Sequence, residues 1–208
     1  MAALTGTLAD LYMASGAGVT FTQEVMTDNG DHETYHVATA NTAHRYWDDT
    51  QALTIQTSPD GTTWTTVTTN FTVRYVGGQV TFTTADATRQ VRASGKYLAI
   101  SQVGSAYDWE LSPTANILDI TTFGNAWKQK IAGMHDATAK ASKYFIDGTF
   151  AALLGSRFVV IFYINQVAGT RFEAFAWLKS RPTKVGVDAV IDEELDFEID
   201  GQCYFQAS

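Results

Sequence analysis

The segment Glu194-Leu195-Asp196-Phe197-Glu198-Ile199-Asp200 alternates acidic and apolar residues without a break. A period of two puts Leu195, Phe197 and Ile199 on one face and Glu194, Asp196, Glu198 and Asp200 on the other, the pattern of a β-strand with one buried side. Acidic side chains two apart on one face stand roughly 7 Å from each other and repel. Something has to offset that repulsion: water and counterions, or basic residues of a neighbouring strand or subunit.

The same period recurs upstream. Leu53 and Ile55 alternate with polar residues, Ser58-Pro59-Asp60-Gly61 forms a turn, and Thr62–Val67 returns as the partner strand. Pro presets φ at the second turn position and Gly tolerates positive φ. A second hairpin runs through Phe71, Val73 and Tyr75, turns at Gly77-Gly78 and returns through Val80 and Phe82; Gly-Gly suits a primed two-residue turn. Residues 91–103 continue in this style, with Gly95 as a bulge or break. Arg157–Ile164 reads as a buried strand, followed by a turn at Ala168-Gly169 and a strand over Thr170–Ser180. Gly201 is expected to close the final strand.

Other stretches are less regular. Residues 1–18 read as an N-terminal arm leading into a first strand near Val19–Met26, and residues 27–44, rich in Asp, Asn, Gly, Thr and His, as a long polar loop. Residues 112–126 read as irregular. In 127–146, Trp127, Ile131 and Met134 fit a helix while Thr138–Phe145 alternates like a strand, which is the reading favoured for the second half. The best helix is Asp147–Gly155, with Asp147 as N-cap and Gly155 as terminator. About two turns long, it depends on tertiary packing.

Thr makes up about 14% of the chain, and Thr favours strands. With three Pro, no internal repeat and no low-complexity linker, the expected architecture is mostly β. It is a single domain over residues 1–208, a β-sandwich or small barrel with one short packed helix. The longest apolar run, Phe158–Ile164, is far shorter than the roughly 20 residues a membrane-spanning helix needs. Residues 1–44 contain neither Lys nor Arg and no apolar signal core, so no secretory signal is expected. The single Cys203 excludes an intrachain disulfide framework and a cysteine-based zinc site, and fits a reducing cytoplasm.

The net charge is −8, which argues against a protein that grips phosphate backbones. The charge is uneven: residues 45–184 hold all 14 basic residues and carry +4, while residues 1–44 and 185–208 carry −12 between them. Acidic ends beside a mildly basic middle could bring copies together; solubility alone would also account for them.

Catalytic signatures are weak. Paired carboxylates such as Asp48-Asp49 and Asp108/Glu110 have no placement that sequence can show. His32 and His36 have metal spacing only on a helix, and their surroundings are loop-like. Asp28–Asp31 lacks calcium-loop ligand spacing, and no nucleophile elbow or phosphate loop occurs. No cofactor, metal or catalytic residue is expected. The five Trp residues are expected mainly as core or interface anchors; two sharing an exposed face would instead mark a carbohydrate-binding β-sandwich. A β-sandwich glycosidase is a third reading.

The order of these features resembles the major tail tube protein of long, non-contractile-tailed bacteriophages. The resemblance runs from Gly6-Thr7-Leu8 through the 71–82 hairpin, Val91–Tyr97, Ile120–Lys128, Ala141–Phe145 before a short helix, and Asp188–Phe197 with Gly201. It implies a non-enzymatic virion protein, assembled in the host cytoplasm. Six copies would form a ring, their sheets joining into an inner barrel, and the rings would stack into a tube that conducts double-stranded DNA without binding it specifically. Implied partners are further copies, a tape measure protein, a tail terminator and distal tail or baseplate proteins, with no membrane. On this reading Glu194, Asp196, Glu198 and Asp200 line the lumen or face outward. Leu4, Leu8, Tyr12, Arg89, Arg92, Lys128 and Lys130 are candidates for contacts between subunits or stacked rings. The alternative function is a carbohydrate-binding adhesin or decoration protein.

Overall fold

The computed structural model describes residues 10–14, 16–103, 106–122, 127–145, 149–185 and 191–207. Strands make up 63% of the described residues and bear out a mostly β fold. The described residues gather into two compact units, one of Met13–Ser101 and one comprising the chain up to Tyr12 and from Gln102 onward.

The 13–101 unit is built on a seven-stranded antiparallel sheet ordered β5-β4-β8-β2-β3-β7-β6. Its strands are β2 (Val19–Asp28), β3 (Thr34–Val37), β4 (Thr54–Ser58), β5 (Thr65–Val67), β6 (Phe71–Arg74), β7 (Gln79–Phe82) and β8 (Gln90–Tyr97). Both expected hairpins are present, β4–β5 around Asp60 and β6–β7 around Gly77-Gly78. Gly78 has φ +61°, and a Cβ there would lie 2.6 Å from Val37 Cγ2 and 2.9 Å from the Arg45 carbonyl oxygen. Close approach as well as turn geometry therefore demands glycine. The core contains Phe21, Met26, Tyr35, Val37, Trp47, Ile55, Val80 and Phe82.

Two expectations change in this unit. The 27–44 stretch is not one loop. It contains β3 and a 3-10 stretch at Thr39–His44. Asp28 Oδ1 accepts the N–H groups of Gly30 and His32, and Asp31 Oδ1 those of Glu33 and Thr34. These carboxylates shape a turn that returns the chain so that Tyr35 and Val37 reach the core. Gly95 is not the bulge either: β8 runs through it, and the register shift lies on β2 between Phe21 and Glu24, where Gln23 adopts φ +51°.

The other unit carries an eight-stranded sheet, with the path β10-β11-β15-β13-β12-β1-β9 and β14 pairing β15 beside it. The strands are β1 (Asp10–Ala14), β9 (Ile100–Gln102), β10 (Ala106–Asp119), β11 (Lys130–Tyr144), β12 (Arg157–Asn165), β13 (Thr170–Ser180), β14 (Thr183–Lys184) and β15 (Asp192–Gln206). The sheet curls into a half-barrel. Trp109 on edge strand β10 packs on Phe162 of β12 at 5.3 Å between ring centroids, although β11, β15 and β13 separate them along the sheet. Small side chains at Ala137, Ala139, Ala141, Ala174 and Ala176 leave room for that closure, and Phe158, Val160, Leu178, Leu195 and Phe197 are buried with them.

Here residues 10–14, expected in an arm, are a paired strand. Residues 112–119, expected to be irregular, continue β10; 123–126 lie outside the described residues. The first half of 127–146 is extended rather than helical, because Lys130–Ala132 pair with Ile117–Asp119. Gly201 does not close β15. At φ +86° it lies within a register shift between the Glu173↔Tyr204 and Phe175↔Asp200 pairs, and the strand runs on to Gln206. The helix is one turn, α1 (Thr149–Ala152), shorter than expected, and Asp147 lies outside the described residues.

Candidate functional site

The alternation of β15 holds in three dimensions. Leu195, Phe197 and Ile199 are buried, whereas Glu194, Asp196, Glu198 and Asp200 keep solvent access. The antiparallel neighbours bring bases to the acids. Lys140 of β11 places Nζ 3.0 Å from Glu194 Oε1 and 3.3 Å from Asp196 Oδ1. Lys179 of β13 reaches Glu198 Oε2 at 3.1 Å. Arg157 of β12 donates from Nε to Asp200 Oδ2 at 2.6 Å, with its guanidinium over the Phe175 ring at 4.0 Å. Ser180 Oγ donates to Asp196. The repulsion expected along the strand is thus offset by bases of the same chain. The flanking carboxylates of Glu194 and Asp196 raise the Lys140 pKa above its ordinary value. Each exposed pair is worth little alone; together they turn an acidic face into a charge-alternating one.

A second ionic group lies inside. Lys143 Nζ is 3.1 Å from Glu193 Oε2, and Arg181 Nη2 is 2.6 Å from Glu193 Oε1. Lys143 also sits over the Phe150 ring at 4.9 Å. Sequence reasoning did not single out this group, although Glu193 is in phase with Leu195 and Phe197 and so belongs to the buried face.

The outer parts of β10 and β11 leave the half-barrel as a two-stranded ribbon. Pro113–Asp119 are all exposed, and so are residues 130–136 apart from a half-buried Gly133. Ile117 stands opposite Ala132 and Leu118 opposite Ile131. Adjacent positions point to opposite faces, so the ribbon is apolar on both sides. Ile120, Trp127 and Met134 add to this, with Trp127 86% and Met134 85% exposed. At the base of the ribbon a cavity of about 650 Å³ is lined by Pro113, Ala115, His135, Ala137, Gly201 and Cys203, among others.

No protein-family model matches the sequence, and no curated protein matches it. Solved structures do show similarity. The virion of a native gene transfer agent particle is 17% identical over 52% of this chain and 89% of the matched chain, with a TM-score of 0.42. The tail of an empty gene transfer agent particle, in C6 symmetry, is 18% identical over 52% of this chain and 87% of the matched chain, with a TM-score of 0.43.

The remaining candidate residues are dispersed. Leu4 and Leu8 lie outside the described residues. Tyr12 stacks edge-on against Tyr163, and its hydroxyl accepts a hydrogen bond from Gln166 Nε2. Lys128 is exposed beside the ribbon, and Lys130 pairs with Asp119 at its end. Arg89 lies over the Phe82 ring and donates to the carbonyl oxygens of Thr84 and His32. Arg92 lies over the Trp64 ring. His32 Nδ1 is 2.6 Å from Asp28, and His36 belongs to β3. Among the described residues no group of three or more His, Cys, Asp or Glu is placed to hold a metal ion. No helix among them is long and apolar enough to cross a membrane.

Proposed function

We propose that the chain is a structural subunit of a virion tail tube. Six copies close a ring edge to edge, and rings stack into a conduit for double-stranded DNA. The observation that carries this reading is strand β10. It pairs β11 on one side, forms an edge of the sheet, and continues into a ribbon with exposed apolar side chains on both faces. A long unpaired edge invites another chain. An isolated two-stranded ribbon is marginal in water, and apolar groups exposed on both of its faces call for cover on both. Further copies of the chain supply both kinds of contact. The order of sequence features resembling tail tube proteins supports the same reading.

In the ring, the face bearing Glu194, Asp196, Glu198 and Asp200 lines the lumen. Alternating charge there denies the phosphate backbone a continuous basic surface to grip. Tyr12, Lys128 and Lys130 contribute to contacts between copies, as do Leu4 and Leu8. The tape measure, tail terminator and distal tail or baseplate proteins are the other partners.

Negative-stain electron microscopy of the concentrated protein tests the proposal. Six-fold rings or hollow tubes are expected, and the Leu118→Ser, Ile131→Ser double variant should abolish them. Monomers that persist even with purified tail initiation complexes would overturn it.

A further inference from the structure

We infer that the outer sheet face of the 13–101 unit, centred on Arg92, binds an anionic saccharide. Thr66, Gln56 and Arg92 form one row across β5, β4 and β8, on the face opposite the buried Ile55, Val91 and Ala93. Arg92 is held on three sides. Its Nε donates to Gln56 Oε1 at 2.8 Å, its Nη1 donates to Gln23 Oε1 at 3.2 Å, and its guanidinium lies 4.3 Å from the centre of the Trp64 ring. Gln56 in turn donates from Nε2 to Thr66 Oγ1 at 3.2 Å.

Two features make this more than a surface arginine. Arg92 is oriented by amide oxygens and an indole ring, not by a carboxylate. Neutral dipoles fix the fork without cancelling its charge, which leaves it for an incoming anion. Gln23, one of its two amide partners, has φ +51° at the bulge of β2, and its N–H donates to Ser94 Oγ at 2.8 Å. A left-handed non-glycine residue is uncommon and strained, and a bulge re-aims a side chain. Here the strained residue is the one that delivers an oxygen to Arg92.

The surroundings select the ligand class. Gln56, Thr66, Thr54, Ser94 and Gln90 offer amide and hydroxyl groups in neighbouring register positions, matched to sugar hydroxyls. A single arginine on a chain of net charge −8 does not suit a nucleic-acid backbone. The anionic group is a carboxylate or a sulfate ester. The inference does not rest on tube formation.

Calorimetric titration of the full chain tests it with four probes: a galacturonate oligomer, a sulfated oligosaccharide, a neutral dextran oligomer and duplex DNA. Saturable binding to at least one of the two anionic sugars is expected, and which one identifies the anionic group. Binding should weaken at least tenfold in Arg92→Gln and in Gln23→Gly, which relieves the strained backbone while removing the amide oxygen. Arg89→Gln, whose donors already serve backbone carbonyls, should bind as the parent does. The inference is overturned if neither anionic sugar binds, if dextran or DNA binds as tightly, or if Arg89→Gln loses as much as Arg92→Gln.

Discussion

Lys143 Nζ lies 3.1 Å from Glu193 Oε2 with the two side chains 3% and 0% exposed, and Arg181 approaches the other oxygen of the same carboxylate. Removing one partner of a buried pair leaves an uncompensated charge, at a cost of about 3–5 kcal/mol. Glu193→Gln strands two cations, whereas Lys143→Met leaves Glu193 with Arg181. Urea unfolding should therefore show Glu193→Gln near the top of that range and Lys143→Met clearly below it.

On the proposed reading, the ribbon separates folding from assembly. Leu118 and Ile131 are exposed in the subunit, and surface substitutions of this kind usually stay within about 0.5 kcal/mol. The Leu118→Ser, Ile131→Ser variant should melt as the parent does under conditions that keep both monomeric, yet fail to sediment as polymer. A large drop in melting temperature would instead show that the ribbon supports the subunit fold.

The turn at Asp60 has a defined pH window. Its carboxylate accepts the N–H groups of Thr62 and Thr63, and these two bonds, the largest causes, hold its pKa far below the ordinary aspartate range. A depressed folded pKa means the contribution is complete above the unfolded value of about 3.9 and lost as pH falls through the folded one. The Asp60 carboxyl resonance should therefore stay in its ionised position at pH 3, and the cost of Asp60→Ala to the β4–β5 hairpin should be full at neutral pH and shrink as the pH falls below 3.

If the chain lines a tube as proposed, the charged face governs DNA passage. Lys140 bridges Glu194 and Asp196, so Glu194→Gln with Asp196→Asn leaves its charge unbalanced. Tubes should still form, because these side chains stand on the solvent-accessible face, but phosphate would be attracted to the wall. Ejection followed by a DNA-binding dye should slow. Unchanged kinetics would place the face outside the lumen.

Gly78 tests backbone constraint. Gly78→Ala combines a left-handed φ with a Cβ placed 2.6 Å from Val37 Cγ2. A loss of about 1–3 kcal/mol is expected in thermal unfolding.

Much of the fold was legible in local pattern. The β4–β5 and β6–β7 hairpins, β12, β13 and the burial of Leu195, Phe197 and Ile199 follow from alternation and turn chemistry that act over a few residues. Legibility failed where local composition and pairing disagree. Residues 113–119 expose every side chain, so no burial rhythm marks them; hydrogen bonding to β11 makes them a strand. Tyr35 and Val37 sit in a polar stretch whose Asp residues shape the turn before a strand.

Alternation alone gives the last strand an apolar face and an acidic one, because side chains alternate with a period set by the backbone. What balances the acids is set by pairing between segments far apart in the chain. Lys140 and Glu194 are 54 positions apart, and Arg157 and Asp200 are 43 apart. Their meeting depends on which strands pair and in what register, choices made by burial of the whole half-barrel rather than by any one segment.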